Sequence, residues 1–214
     1  MQKNLLLFWG WSSNDHSYRG LFKSAPADWN IYTMNFDDLM KAGWVDKLAE
    51  SVLKFLEEKN VDKVSVAGHS LGGALALKFA SACPERVNSL FLLDSAGVYG
   101  GETIPSLIKN FFLSHSVNAK KKAKENFSAI WRVFSKPITN LKLARYAYYV
   151  DLQEEAKGIK VPTILIWGGK DHLIPLWQAE TLHKLIKGSK LIVLPKMDHN
   201  WPLYAPELFW KHIK

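Results

Sequence analysis

The sequence predicts an α/β protein, a three-layer α/β/α sandwich with a mostly parallel sheet and an inserted helical cap. Two observations predict this class. Six short runs that are β-branched or rich in Leu are bounded by Gly, Asn or Asp, and segments with helical periodicity lie between most of them. Continuous apolar strands that alternate with helices are typical of parallel sheets covered on both faces.

The predicted elements follow one another in a regular order. Predicted strands cover residues 4–9, 30–35, 63–67, 89–93, 163–167 and 190–194. Predicted helices cover residues 44–59, 71–83 and 176–186, and a closing helix starts at about Pro206. One domain is therefore expected, with a core formed by residues 1–97 and 159–214.

Residues 98–158 interrupt the alternation because they contain no convincing strand and have the pattern of two to four helices. We expect them to form a cap, or lid, over the sheet. The segment has ten Lys or Arg against five Asp or Glu and so contributes +5 of the total formal charge of +8. Its large apolar side chains would pack against the core, and some would line a substrate pocket, among them Phe111, Trp131 and Tyr146.

Composition narrows the range of functions. The chain has a single cysteine, Cys83, and its only apolar run near the first residue spans residues 5–9. We therefore expect no disulfide, no signal peptide and no membrane span, and a cytoplasmic location. The positive charge favours acidic partners, but the sequence lacks zinc-finger spacing, an RNA-binding aromatic motif and a basic recognition helix, so nucleic acid is not expected as a partner.

A predicted strand runs directly into Gly68-His69-Ser70-Leu71-Gly72-Gly73, and a predicted helix follows. In this strand, G-x-S-x-G, helix arrangement, the serine lies on a sharp turn and its hydroxyl projects at the carboxyl end of the sheet. The glycines permit the close approach that such a turn needs. Ser70 is thus a candidate nucleophile, although a serine here could also be an ordinary helix N-cap.

These residues resemble the α/β-hydrolase family, and two further segments carry the resemblance. Residues 167–175, Trp-Gly-Gly-Lys-Asp-His-Leu-Ile-Pro, are similar to the family's loop that holds the catalytic acid, which implies that Asp171 has this role. Residues 195–202, Pro-Lys-Met-Asp-His-Asn-Trp-Pro, are similar to the loop that holds the catalytic histidine, which implies His199. The chain order Ser, Asp, His is also the order this fold uses.

The resemblance also implies an oxyanion hole. The turn supplies the backbone N–H of Leu71, and the loop after the first strand supplies that of Trp11. Trp9-Gly10 stands where the family usually has His-Gly. We count Trp9 among the candidate substrate-binding residues.

For some site roles, the sequence offers two candidate residues or two interpretations. Asp171 could be a simple turn residue, and Asp94, which follows the neighbouring predicted strand, could supply the acid instead. His69 could contact substrate or could hold the catalytic residues in place without contacting substrate. No Cys/His cluster, His-Glu-x-x-His pattern or phosphate loop is present, so neither a metal nor a cofactor is predicted.

The resulting hypothesis is a serine esterase, a carboxylesterase that cleaves small to medium acyl esters through an acyl-enzyme. Trp9-Gly10-Trp11, the basic cap and the compact size also resemble the pimeloyl-acyl-carrier-protein methyl ester esterases. An acidic acyl carrier protein could then dock on the cap. The same residues are compatible with a thioesterase, an acyltransferase, a carbon–carbon bond hydrolase, and a non-catalytic ligand-binding protein.

Overall fold

The computed structural model describes residues 2–11, 13–34, 39, 44–101, 110 and 137–213. Within them lies one six-stranded sheet with the strand order β2-β1-β3-β4-β5-β6, in which every neighbouring pair is parallel. The strands are β1 (Lys3–Phe8), β2 (Trp29–Thr33), β3 (Val64–His69), β4 (Val87–Leu93), β5 (Thr163–Gly168) and β6 (Lys190–Leu194). The predicted α/β class and all six predicted strands are confirmed.

Burial along the sheet explains why these segments are strands. All six residues of β3 are buried, as are the last four of β1 and of β4, so these central strands are covered on both faces. The edge strands β2 and β6 are only partly buried. A continuous apolar run therefore marks the centre of the sheet, and a mixed run marks its edge.

Eight α-helices lie in the described part of the chain: α1 (Arg19–Lys23), α2 (Leu48–Glu58), α3 (Leu71–Ala82), α4 (Pro137–Tyr149), α5 (Gln153–Lys157), α6 (Leu176–Leu185), α7 (Trp201–Tyr204) and α8 (Glu207–His212). Short 3-10 helices cover Trp44–Lys47 and Pro84–Arg86. The sequence did not predict α1 or α7, because segments of five and four residues are too short to show helical periodicity.

Part of the predicted cap can be compared with the structure. Helices α4 and α5 lie between β4 and β5, and α4 contacts α3 of the core. Leu143 of α4 is buried, and Tyr146 is half-buried against the core. Phe111 and Trp131 lie outside the described residues, so the cap at residues 98–158 remains a prediction.

The topology brings the candidate residues to one edge of the sheet. From β1 the chain moves to β2 on one side and then crosses to β3 on the other, so the order reverses between β1 and β3. Ligands of open parallel sheets bind at the carboxyl ends of the strands beside such a reversal. Ser70 directly follows β3, and the loops after β1, β4, β5 and β6 end at the same edge. In the part of the chain that the structure describes, no helix has the length and apolar character needed to cross a membrane.

Candidate active site

Ser70 occupies a strained turn between β3 and α3. Its backbone has φ 56° and ψ −124°, a conformation that residues with a side chain rarely adopt. The Ser70 N–H donates to the carbonyl oxygen of Leu93 at 3.0 Å, and its own carbonyl accepts from the N–H groups of Gly73 at 2.9 Å and Ala96 at 3.0 Å. Strain of this kind persists only where surrounding contacts fix it, and it is concentrated at functional sites.

The glycines around Ser70 are required by packing. A Cβ atom on Gly72 would lie 2.5 Å from the carbonyl carbon of Phe8, and one on Gly73 would lie 2.5 Å from Cβ of Ser95. A Cβ atom on Gly68 would lie 2.6 Å from Cα of Gly73. The motif thus brings α3 against the ends of β1 and β4 at distances that no side chain allows.

The candidate acid and base are in direct contact. Nδ1 of His199 lies 2.7 Å from Oδ2 of Asp171, and the two side chains are 4% and 0% exposed. Oδ1 of Asp171 accepts hydrogen bonds from the N–H groups of Leu173 and Ile174, both at 2.8 Å. This carboxylate therefore accepts three hydrogen bonds, which hold it in one orientation beside His199.

The loops that hold Asp171 and His199 are bonded to each other beyond the ends of β5 and β6. The N–H of Gly169 donates to the carbonyl of Leu194, and that of Lys170 donates to the carbonyl of Met197, both at 2.9 Å. The indole N–H of Trp167 donates to the carbonyl of Ile174 at 2.9 Å. These bonds fix the position of the acid relative to the base, as a preorganised site requires.

His69, the residue before the candidate nucleophile, contacts both sides of the site. Its Nδ1 lies 2.5 Å from the Tyr18 hydroxyl, and its Nε2 lies 2.8 Å from the backbone carbonyl oxygen of His199. Because a carbonyl only accepts, Nε2 carries the proton and Nδ1 accepts from Tyr18. The His69 and His199 rings also pack together with centroids 4.9 Å apart. Both nitrogens thus bond to the protein, which favours a supporting role for His69 over substrate contact.

Tyr18 links this network to the candidate oxyanion loop, and sequence reasoning missed it. Its hydroxyl accepts a hydrogen bond from the Gly10 N–H at 3.0 Å, and its ring stacks on Trp9 with centroids 6.4 Å apart. Complete burial raises the pKa of Tyr18 above its usual value, so the phenol remains a proton donor. Tyr18 precedes a five-residue helix and belongs to no recognisable motif, so no local signal could have identified it.

The loop after β1 runs beside Ser70. A Cβ atom on Gly10 would lie 3.3 Å from Cβ of Ser70, and the next residue, Trp11, is half-buried against the core. Leu71, the second predicted oxyanion donor, is buried at the first position of the twelve-residue helix α3, whose N-terminus favours negative charge. Trp9 is 4% exposed, and its role in substrate binding remains a prediction.

Two other acids lie close to the pair. Asp198 is buried, and its Oδ1 accepts from the Asn200 N–H at 2.9 Å, so it caps the local turn while Asp171 contacts His199. Asp94 is also buried, and one ligand-type atom each of Asp94, Asp171 and His199 lie within 4.8 Å of one another. Nδ1 of His199 bonds to Asp171, and Asp94 lies beside this pair.

The chain is similar in sequence to several known proteins. The chain is 30% identical over 189 residues to the dihydrolipoyllysine-residue acetyltransferase component of the acetoin cleaving system of Pseudomonas putida, a match that covers 78% of this chain and 49% of the relative. The chain thus spans about half the length of that relative. It is 27% identical over 225 aligned positions to the pimeloyl-[acyl-carrier protein] methyl ester esterase of Neisseria meningitidis serogroup C, covering 92% of this chain and 86% of the relative.

A solved structure and a family model extend the comparison. The enol-lactonase from Burkholderia xenovorans LB400 superposes with a TM-score of 0.74 at 17% identity, covering 100% of this chain and 90% of that one, which shows a shared fold. The model of the alpha/beta hydrolase family matches residues 9–211, nearly the whole chain. With this match, the chain belongs to the alpha/beta hydrolase family.

Proposed function

We propose that this hydrolase cleaves carboxylic esters, with Ser70 as the nucleophile, His199 as the general base and Asp171 as the acid that orients it. The observation that carries the proposal is the 2.7 Å contact between Nδ1 of His199 and Oδ2 of Asp171, at the sheet edge where Ser70 occupies its strained turn. A buried His–Asp pair at the same sheet edge as a serine on such a turn is typical of sites that activate a hydroxyl.

The reaction would proceed in two halves. Because Nδ1 of His199 bonds to Asp171, Nε2 is the nitrogen that takes the proton from Ser70 as Oγ attacks the ester carbonyl carbon. The bond to the alcohol oxygen then breaks, and the alcohol leaves with that proton. In the second half, water attacks the acyl-enzyme, His199 takes a proton from the water, and Ser70 regains its proton as the carboxylic acid departs.

Negative charge on the carbonyl oxygen needs backbone donors. We assign the N–H of Leu71 at the start of α3 and the N–H of Trp11 in the loop after β1. Support comes from the Gly10–Tyr18 hydrogen bond, which fixes the residue before Trp11, and from the close approach of Gly10 to Ser70. The acyl chain would lie between this loop and the cap, and Tyr146, half-buried against the core, would line its pocket.

A carrier-linked substrate is the second candidate, because the relative from Neisseria meningitidis is named as an esterase of pimeloyl-acyl-carrier protein. The residues 98–158 carry a net +5 charge, and Lys142 and Arg145 on α4 are exposed. Such a surface suits an acidic carrier protein. We also propose a reducing compartment such as the cytoplasm, because the single cysteine, Cys83, is buried and unpaired.

A panel of p-nitrophenyl esters of increasing acyl length tests the first candidate. We expect turnover with the wild type and a loss of at least about a thousandfold in kcat with Ser70→Ala. Ser65→Ala is the matched control, since Ser65 is buried in β3, the strand that Ser70 follows, and has no assigned role. Equal turnover by wild type and Ser70→Ala would refute the proposal.

The second candidate is tested with a purified acyl carrier protein whose attached acyl group ends in a methyl ester. Hydrolysis is followed by measuring the intact mass of the carrier protein. The carrier-linked substrate is favoured if the methyl ester on the carrier protein is hydrolysed much faster than the free methyl ester and if added salt suppresses this reaction. Equal rates on free and carrier-bound esters favour a general esterase. A thioester and a dienoic ketone in the same panel test thioesterase and carbon–carbon hydrolase activity.

A further inference from the structure

Asp94 is a buried acid at the candidate site that has no role in the proposed mechanism. It follows β4 with φ 41°, and it is 0% exposed. Its Oδ1 accepts a hydrogen bond from the Gly168 N–H at 2.8 Å. Its Oδ2 is buried and, among the described residues, accepts no well-formed hydrogen bond. A buried carboxylate oxygen without a donor is costly, so this atom needs an explanation.

The neighbour of Asp94 supplies that explanation. Asp94 and Asp171 are close neighbours, because a carboxylate oxygen of each belongs to the trio of ligand-type atoms that lie within 4.8 Å of one another. Two carboxylates this close cannot both be charged at low cost, whereas one proton between them converts repulsion into a hydrogen bond. The question is which of the two holds the proton.

The hydrogen bonds answer it. Asp171 accepts three bonds, from His199, Leu173 and Ile174, and all three stabilise a negative charge. Asp94 accepts one well-formed hydrogen bond, from the Gly168 N–H. The indole N–H of Trp201 stabilises the negative charge of Asp94 less than the Gly168 N–H does. Of the two carboxyl groups, Asp171 therefore has the acceptor role, and Asp94 is the candidate donor.

We propose that Asp94 is a positioning residue that carries a proton at neutral pH and donates it in a hydrogen bond to the Asp171 carboxylate. This inference rests on the proposed function, because it assigns a role relative to the His199–Asp171 pair. The donated bond would hold the Asp171 carboxylate in the orientation that serves His199 and would limit how strongly its charge attracts the imidazole proton. Oδ2 of Asp94 then has a partner.

The surroundings of Asp94 agree with a retained proton. Complete burial and the adjacent Asp171 charge raise its pKa well above the usual value of 3.8, while the Gly168 and Trp201 N–H groups oppose this less strongly. Among the described residues, His199, Tyr18 and Tyr204 also interact with Asp94 or Asp171, and Tyr204 in addition faces Asp198. Burial raises the pKa of Tyr18, and it raises that of Tyr204 to about 12, so both phenols stay neutral.

Asparagine is a close mimic of a protonated aspartate and gives a sharp test. In Asp94→Asn, the amide oxygen can accept from Gly168 and the amide N–H can donate to Asp171, whereas Asp94→Ala offers neither bond. We expect Asp94→Ala to lose about 10- to 100-fold in kcat for ester hydrolysis and Asp94→Asn to recover to within about threefold of wild type. The acid limb of the pH–rate profile should stay within about 0.3 pH units of wild type in Asp94→Asn, because no charge has been removed. A shift of that limb to lower pH by about one unit would show that Asp94 is ionised and overturn the proposal.

A second measurement does not depend on catalysis. A folded-state pKa above the unfolded value means that the folded protein binds the extra proton, so wild-type stability should fall as pH rises from about 3.8 toward the raised pKa. Asp94→Asn lacks this loss, and its unfolding free energy should improve relative to wild type over that range. A difference that stays flat with pH would contradict a protonated Asp94. If wild type and all variants lack esterase activity, the proposed function fails, and this stability comparison still decides the state of Asp94.

Discussion

The phenol of Tyr18 and the imidazole of His69 are joined at 2.5 Å, and this bond connects three loops of the candidate site. On one side, Tyr18 holds the Gly10 N–H in the loop after β1. On the other, His69 holds the backbone carbonyl of His199. The candidate oxyanion loop, the nucleophile turn and the loop of the base are thus positioned by one buried network.

Tyr18→Phe tests this network. The substitution keeps the ring but leaves Nδ1 of His69 and the N–H of Gly10 without their partner, and orphaned buried polar groups cost about 1–3 kcal/mol. We expect a loss of that size in unfolding free energy and a fall of about tenfold in kcat with little change in KM, because oxyanion stabilisation acts in the transition state. Urea denaturation and steady-state ester kinetics provide both values.

Tyr32→Phe is the control for this experiment, since Tyr32 lies on the edge strand β2, two strands away from β3, and its ring packs edge-on against Phe55 of α2. It should change kcat by less than about twofold. If Tyr18→Phe and Tyr32→Phe behaved alike in kcat, the network would have no role in catalysis.

Asp171→Asn tests the choice of acid. It retains the size of the side chain but removes the charge and permits the wrong imidazole tautomer, so we expect kcat to fall by about 10²- to 10⁴-fold with KM nearly unchanged. Asp198→Asn is the matched variant, because Asp198 lies next to His199. The amide oxygen of the new asparagine can still accept the hydrogen bond from the Asn200 N–H. It should lose less than about tenfold. The reverse ranking would assign the acid to Asp198.

Gly72→Ala tests the packing of the turn. Its Cβ would lie 2.5 Å from the Phe8 carbonyl carbon, so α3 and β1 must separate, and we expect a loss of about 2–4 kcal/mol in unfolding free energy. Gly158→Ala is the comparison, because Gly158 has an ordinary φ of −82° and its Cβ would lie 3.3 Å from the Glu155 carbonyl oxygen. That substitution should cost about 1 kcal/mol or less. Similar losses in thermal denaturation of the two variants would show that the turn tolerates a side chain.

The sheet could be predicted from the sequence because its signal is local. The predicted strand at residues 63–67 and the observed Val64–His69 differ by one residue at the start and two at the end. The extension arises because Gly68 and His69 continue the parallel pairing with Leu92 and Leu93 of β4 before the turn. Short helices without a periodic pattern, such as Trp201–Tyr204, could not be predicted in this way.

Only those site residues that lie within a recognisable sequence motif could be predicted. Ser70, Asp171 and His199 could be proposed from neighbouring residues, but the choice between Asp94 and Asp171 as partner of the histidine needed coordinates. Both follow adjacent strands, and only the structure shows that Asp171 contacts His199 while Asp94 bonds to Gly168. Tyr18 and His69 are 51 residues apart, so their contact is a product of the topology.

The central claim, that Ser70 is an activated nucleophile, is tested most directly by labelling with a fluorophosphonate and measuring intact mass. The probe reacts with a serine only when a base activates it. We predict one adduct on the wild type and on Ser65→Ala, and none on Ser70→Ala, with all three proteins folded by circular dichroism. Equal labelling of Ser70→Ala, or no labelling of the folded wild type, would contradict the account.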